Sequence, residues 1–477
     1  MRCTHFALTL ACTLLAACGT SPAGTSGSAG AGGNGSGGGA GAAADTPPTL
    51  TPDERAALLA LSPAGGLPAP APDASNRFAD DPKAASFGQK LFFDPLFAGK
   101  LLDGDNDGST STLGKKGDTG KVSCAGCHVP SDGFVDNRTL GGEISLAAGW
   151  GRRKAPSLLD VGQAKLLMWD GRHDALYNQP FGPIESPVEM NSSRLYVAEQ
   201  IFARHRAEYE ALFGPLPALD DAQRFPALSA DRTGCQPKSL DTLTTCVGSK
   251  HGMPGDAAEY DGLPVADQEA VTGVVVNVGK ALGAYERLLS CGASRFDRWI
   301  YGETAALSNS EQRGAQLFVG AGKCVSCHSG PFLSDQKFHN VGLQPEIVAV
   351  VFIDDNDPGA SSGLAAAIAD PLNVRGKFSD GDDGRLPESV DVSATTGAFR
   401  TPALRCAAHR PSFMHTGHLK SLASVVSFFS RGGDLFGYPG KNELTPLSLT
   451  DQEQQDLAAF LAALDGPGPA MELLSPP

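Results

Sequence analysis

Cys124-Ala-Gly-Cys127-His128 and, 200 residues later, Cys324-Val-Ser-Cys327-His328 are the stretches whose reading decides the fold. Cys-x-x-Cys-His is the attachment pattern of a c-type haem. On a helical turn the two cysteines fall at i and i+3, so both sulfurs face one way and can add to the two haem vinyl groups. The adjacent histidine then reaches the iron from the same side. A zinc site is the competing reading, but it would pair the two Cys-x-x-Cys pieces or use a His-x-x-x-His element. Here each pair carries its own adjacent histidine, far from the other in the chain. The pattern therefore predicts two haems, attached at Cys124 and Cys127 and at Cys324 and Cys327, with His128 and His328 as iron ligands.

Working outward, the chain has 477 residues, enough for two or three domains, and a hydrophobic content of 41%, ordinary for a protein that buries a core. A formal charge of −15 argues against nucleic acid as a partner. It suits a basic electron-donor protein, and equally a merely solvated acidic surface. Residues 1–18 read as a processing segment: Arg2, the apolar run Phe6 to Ala17, then Leu15-Ala16-Ala17-Cys18, which has the form of a lipobox. Cleavage before Cys18 would leave a lipid-bearing cysteine at a membrane. An ordinary cleaved signal is the alternative. Either reading exports the chain to the periplasm or cell envelope, where c-type haem is attached.

Residues 19–75 are Gly-, Ser-, Ala- and Pro-rich and read as a flexible tether, with Thr51 to Pro72 lying loosely and the ordered body starting near Asn76. Beyond it, helical periodicity recurs at Pro82 to Phe92, Ser193 to Leu212, Asp267 to Leu289, Ser310 to Phe318, Ser421 to Phe429 and Thr450 to Leu464. Ile347 to Ile353 is the best strand candidate. Gly88-Gln-Lys-Leu91-Phe92 precedes the first haem pentad and Gly314-Ala-Gln-Leu317-Phe318 the second, which points to a tandem duplication. The expected fold class is mainly α: two tandem cytochrome c-like haem domains with long loops, residues 76–300 and 301–466, then a tail at 467–477. Of the 11 cysteines, Cys235, Cys246, Cys291 and Cys406 remain once signal, lipid and haem positions are assigned. Cys235 with Cys246 is a plausible local disulfide and Cys291 with Cys406 the remaining pair; buried free thiols are the alternative.

Further stretches, in order, are Leu91-Phe-Phe-Asp-Pro95, Asp132-Gly-Phe134, Ala155-Pro-Ser-Leu-Leu159, Trp169-Asp-Gly-Arg172, Gln179-Pro-Phe-Gly-Pro-Ile184, Pro187-Val-Glu-Met190, Phe399-Arg-Thr-Pro-Ala-Leu-Arg405, Pro411-Ser-Phe-Met-His415 and Arg431-Gly-Gly433. Together with the pentads they resemble the bacterial di-haem cytochrome c peroxidase family, including its MauG-like branch, from about residue 80 to 465. The resemblance implies a peroxidatic haem in the N-terminal half and an electron-transfer haem in the C-terminal half. It implies reduction of hydrogen peroxide with electrons from a small redox protein, a cytochrome c or a cupredoxin. It places Trp169 between the haems as electron relay, and Glu189 at the peroxide as the base and acid of O–O cleavage. Gln179 would line the same pocket and Pro183 would lie over the haem face.

Many members carry a histidine in the loop after the first pentad that caps the peroxidatic iron. Val129 to Leu159 contains none; Gly141-Gly-Glu-Ile-Ser-Leu146 lies there instead. This departure implies an open iron, as in MauG-like relatives, with His173 a poor substitute. At the second haem the resemblance puts the distal ligand at Met414, whose thioether raises the reduction potential; His415, His409 and His418 are nearby competitors. Two other readings stand beside peroxide reduction: oxidation of a protein side chain or small organic molecule, and electron carriage without catalysis.

The family's ion between domains uses an asparagine where this chain has Lys154, which puts that site in doubt. A separate insertion, Asp103-Gly-Asp-Asn-Asp107-Gly108, alternates oxygen ligands as a calcium loop does, through Asp103, Asp105 and Asp107. Gly114 replaces the usual twelfth-position Glu, so a solvated acidic loop is the other reading.

Overall fold

The computed structural model describes residues 46–138, 144–237, 246, 248–344 and 356–477. The signal segment with Cys18, the first part of the tether, Gly141 to Glu143 and the Ile347 to Ile353 strand candidate lie outside them. The described chain is mostly helical: α1 (Pro52–Ala60), α2 (Pro82–Phe93), α3 (Cys124–Cys127), α4 (Phe181–Glu185), α5 (Arg194–Phe213), α6 (Val265–Glu286), α7 (Arg295–Ile300), α8 (Asn309–Val319), α9 (Ala360–Ala369), α10 (Val392–Thr395), α11 (Leu422–Ser430) and α12 (Asp451–Ala462). Two short antiparallel ribbons, β1 (Gly234–Gln236) with β2 (Ser249–His251) and β3 (Phe338–His339) with β4 (Phe399–Arg400), are its described sheet structure. No described helix is long and apolar enough to cross a membrane.

All six helices expected from periodicity form. Asp81, Ser193, Ser308, Ser421 and Thr450 cap five of them by accepting backbone N–H groups of the first turn, each cap worth about 1 kcal/mol. The sixth, α6, follows Pro264 without a side-chain cap.

The two halves repeat one packing arrangement. Helix α2 crosses α6 at Gly88, where an added Cβ would lie 1.9 Å from the Ala281 carbonyl oxygen. Helix α8 crosses α12 at Gly314, where an added Cβ would lie 2.0 Å from the Asp456 carbonyl oxygen. Only glycine permits so close a backbone approach. One turn on, Phe92 meets Tyr285 at 5.1 Å between ring centroids, and Phe318 meets Phe460 at 5.4 Å. The Gly-x-x-Leu-Phe repeat is thus a helix-crossing signature: glycine sets the approach and phenylalanine fills the space beside it.

The first core gathers α2, α5 and α6 around Phe92, Phe134, Tyr177 and Tyr285; the second gathers α8 and α12 around Phe296, Phe318 and Phe460. The tether expectation fails over residues 51–62. Thr51 and Glu54 form a capping box, and Leu58 and Leu61 are wholly buried in the second core. Pro and Ala there start and fill a short amphipathic helix, and its leucines supply the burial. The cores also ignore the linear boundaries. Phe296 and Ile300 of α7 join the second core, while Ala367, Leu372, Val374 and Leu386 join the first. The tail folds back onto α2 and α6: Gln89 Nε2 donates to the Glu472 carbonyl (2.6 Å) and Tyr285 Oη to the Leu473 carbonyl (2.6 Å). Both expected disulfides are present, Cys235–Cys246 and Cys291–Cys406. The second joins the end of α6 to the loop before Met414. Arg405, fully buried, bonds both carboxylate oxygens of Asp297 at 2.8 and 3.0 Å and fixes α7 to that loop.

Candidate functional site

Ser123 caps α3, so Cys124 and Cys127 sit one turn apart with His128 at its end. A tight hairpin, with Val129 bridged to Val135 and Phe134 at φ +58°, brings the Phe134 carbonyl to 3.1 Å from His128 Nδ1. At the second pentad a 3₁₀ turn carries Cys324, and Leu333 at φ +50° places its carbonyl 2.8 Å from His328 Nδ1. In both, Nδ1–H donates to a backbone carbonyl. That fixes the tautomer and leaves the Nε2 lone pair for a metal. Burial keeps both imidazoles neutral, His328 down to about 4. The four pentad cysteines form no disulfide. Among the described residues no group of three metal-ligating side chains includes any of them. The zinc alternative is therefore without a site.

Cys324, Cys327 and His328 line a cavity of about 510 Å³, a size suited to a large cofactor. The same wall includes Trp169, Arg400, Arg410, Met414 and His415. Phe413 pairs with Leu419 across a hairpin in which Met414 takes φ +67°. His415 stacks on Phe399 at 3.5 Å between ring centroids. His418 is taken by Thr416 Oγ1 (2.6 Å), and His409 lies half-exposed against Asp465; neither lines the cavity. Two of the four candidate distal ligands, Met414 and His415, thus remain at the second site.

Buried cations test whether a haem fits. Arg410 Nε and, beside Cys127, Arg138 Nε and Nη1 are buried donors without a hydrogen-bond partner. Burial draws the Arg400 and Arg410 guanidinium groups down to about 10. Buried, poorly compensated positive charge is costly, and the two carboxylates of a haem are the kind of group that would meet it. Two thiols a turn apart, a neutral imidazole and unmet cationic donors fit a c-type haem at each pentad.

Around the first pentad, burial pushes Cys124 and Cys127 up to about 12, with the Glu189 carboxylate adding to the effect at both. Burial also raises Glu189 itself, opposed by the Arg172 charge and a Ser186 hydrogen bond. Its backbone is fixed: the Glu189 carbonyl accepts from Ala148 N (2.9 Å), and Glu189 N donates to Ser186 O (3.2 Å). Pro183 lies in α4, its carbonyl bonded to Met190 N. Gln179 Nε2 lies 3.4 Å from Met168 Sδ, a weak acceptor. His173 is buried against Gly182 of α4 and paired with Leu167.

Residues 154–157 reach both sites. The Lys154 carbonyl accepts Trp169 Nε1 (2.7 Å), Lys154 N donates to His415 O (2.7 Å), and the Pro156 carbonyl lies near the His128 ring, while Ala155 and Pro156 line the second cavity. The sequence reading missed Glu286, a buried carboxyl at the end of α6 near Cys124, raised to about 8. It also missed Arg138, Arg400 and Arg410. A polar residue inside an apolar helix face was the available signal for Glu286. For the arginines, burial of cationic donors is a tertiary fact with no local pattern.

Of the proposed calcium ligands, Asp103 is buried, Asp105 Oδ2 accepts Trp150 Nε1 (2.7 Å), and Asp107 Oδ1 accepts Ser109 N (2.8 Å). The three carboxylates do not gather into one cluster. Each finds its own local donor, as aspartates in tight turns do.

A sequence model of the di-haem cytochrome c peroxidase family matches residues 82–232. The chain is 28% identical to the methylamine utilization protein MauG of Methylorubrum extorquens over 397 residues, 82% of this chain and 81% of that protein. It is also 28% identical to the cytochrome-c peroxidase IdrP1 of a Pseudomonas species over 394 residues, 81% of this chain and 82% of the other. In fold it resembles the diheme peroxidase BthA of Burkholderia thailandensis, with TM-score 0.56, 21% identity, and coverage of 84% of this chain and 95% of that one. The N-terminal match, these relatives of nearly full length and the two Cys-x-x-Cys-His sites agree: the chain is similar to the di-haem cytochrome c peroxidase family along most of its length.

Proposed function

We propose that this protein reduces hydrogen peroxide to water with two electrons from a small redox protein, a cytochrome c or a cupredoxin, and two protons. The observation that carries the reading is the partly buried Glu189, its carboxyl raised by burial, set beside the first haem-binding pentad, while a second pentad occupies a separate cavity with Met414. Bound haem supplies the redox-active iron at each pentad. Cys124, Cys127 and His128 would hold one, and Cys324, Cys327, His328 and Met414 the other. Arg138 would face the acidic edge of the first, and Arg400 and Arg410 that of the second.

A raised carboxyl can exchange a proton near neutral pH, so Glu189 takes the proton from the near oxygen of peroxide and returns it to the far one. Gln179, held only by a thioether, can trade that contact for an oxygen acceptor and orient the peroxide. Pro183 presents an apolar surface over the same pocket. Trp169, fixed by its bond to Lys154 O on the wall of the second cavity, serves as relay toward the first site. The repeated Gly–Phe helix crossings support two cytochrome c-like units in tandem. α1 and α7 complete the second, and residues 360–386 with the tail cover the first. The disulfides suit an oxidising compartment. With the lipobox at Cys18 they support an exported, lipid-anchored protein of the periplasm or cell envelope.

The missing histidine between Val129 and Leu159 favours a second reading, oxidation of a protein side chain or small organic molecule. Stopped-flow mixing of the oxidised two-haem protein with peroxide and a reduced small cytochrome or cupredoxin separates them. Donor oxidation stoichiometric with peroxide supports the peroxidase. Peroxide consumption without donor oxidation transfers the case to the oxidase, and no consumption leaves an electron carrier.

A further inference from the structure

The insertion ahead of the first pentad leaves two acceptors unmet. Asp103 and Asn106 are only 3% and 2% exposed, and Asn106 N closes a turn onto Asp103 O (3.2 Å). One carboxylate oxygen of Asp103, Oδ1, accepts Asp105 N (2.9 Å); Asn106 Nδ2 donates to Ala147 O (2.9 Å). The remaining oxygens, Asp103 Oδ2 and Asn106 Oδ1, are buried and have no hydrogen-bond partner. A buried acceptor without a donor costs about 1–3 kcal/mol, more for a charged one. Two in one turn, both oxygens and neither a donor, leave room for a group that takes oxygen ligands, and the carboxylate favours one that carries positive charge.

We infer that the Asp103–Asn106 turn binds a calcium-class cation, anchored by Asp103 Oδ2 and Asn106 Oδ1 and completed by backbone carbonyls or water. Calcium takes six to eight oxygen ligands in flexible geometry, so two side-chain anchors in a loop suit it better than magnesium's strict octahedron. This set differs from the alternating aspartates read in the sequence, because Asp105 and Asp107 turn to Trp150 and Ser109. Asn106, between them, supplies the second anchor. The nearby Lys116 offsets part of the Asp103 charge, and its backbone N–H bonds the Asn106 carbonyl rather than either orphaned oxygen.

The turn is tied to the first site by backbone hydrogen bonds. Leu102 N and Asp103 N both donate to Ala148 O (2.7 and 2.9 Å), and Ala148 N donates to Glu189 O (2.9 Å). A bound cation braces the strand that positions Glu189. That consequence rests on the proposed role of Glu189; the binding itself does not.

The test uses the two-haem protein freed of divalent ions by chelation. Equilibrium dialysis measures calcium bound, and terbium emission sensitised through Trp150 reports the site. Calcium binding that displaces the terbium emission, weakened at least tenfold by Asp103→Asn and by Asn106→Leu at unchanged haem content, supports the inference. Trp150→Phe should abolish the emission and leave calcium binding intact. Asp103→Asn keeps the acceptor for Asp105 N, and the wild-type displacement needs no variant. Absence of binding at millimolar calcium, or binding that both variants leave unchanged, overturns it, whatever the protein does with peroxide.

Discussion

Glu199 on α5 is a carboxyl that folding keeps protonated. Its Oε2 accepts Leu228 N (3.1 Å), while Oε1 is buried without a partner. Burial raises it from 4.5 to about 8. The folded protein therefore holds a proton that the unfolded chain releases above about pH 4.5, and stability falls as pH rises through the interval between the two values. The gap is roughly 3.5 units; at 1.36 kcal/mol per unit the full penalty is at most about 5 kcal/mol. From pH 5 to pH 8 single-site linkage delivers about 3.5 kcal/mol of it. Glu199→Gln removes the titration. The amide keeps the acceptor for Leu228 N but adds an unmet N–H, about 1–3 kcal/mol at every pH. The slope, not the absolute stability, is therefore diagnostic. Urea unfolding of the two-haem protein at pH 5 and pH 8 should show the wild type losing about 3.5 kcal/mol more than Glu199→Gln across that range. Parallel pH dependence, within about 0.5 kcal/mol, would refute the argument that burial holds this proton.

Three further outcomes are expected. Glu189→Gln should lower kcat/KM for peroxide by roughly 10²- to 10⁴-fold with both haems attached and the electron-transfer haem spectrum unchanged; steady-state donor oxidation measures it. Gly314→Ala drives a Cβ to 2.0 Å from Asp456 O and should cost about 1–3 kcal/mol or more by forcing α8 from α12, read as a lower melting temperature; Gly88→Ala should do the same at α2 and α6. Met414→His should lower the potential of the second haem in a redox titration, because imidazole stabilises the ferric state more than a thioether does. An unchanged potential would hand the distal position to His415.

Much of this architecture was legible in the chain because its devices are local. The pentads fix two cysteines and a histidine on one turn, and Gly88 with Phe92 and Gly314 with Phe318 mark the helix crossings by spacing alone. Six helices announced themselves by period and by Ser, Asp or Thr caps. What stayed hidden depends on partners distant in sequence. Pro and Ala dominate Thr51 to Pro72 and give helix α1 the look of a tether, yet Leu58 and Leu61 find a core more than 200 residues downstream. Arg138, Arg400 and Arg410 look like ordinary surface cations until the fold buries them and leaves Arg138 Nε and Nη1 and Arg410 Nε without an acceptor. In the acidic insertion the aspartate pattern points to Asp103, Asp105 and Asp107, but only Asp103 is buried with an unpartnered oxygen, and the second such oxygen belongs to Asn106.

An open first iron served by Glu189 and a second iron that His328 and Met414 would close differ in spin state. Low-temperature electron paramagnetic resonance of the oxidised protein, before and after peroxide, tests that difference most directly. One high-spin and one low-spin ferric signal are expected, with the high-spin signal lost on peroxide addition without prior reduction. Two low-spin signals that peroxide leaves untouched would contradict it, since the first iron would then carry a sixth ligand that Val129 to Leu159 does not supply.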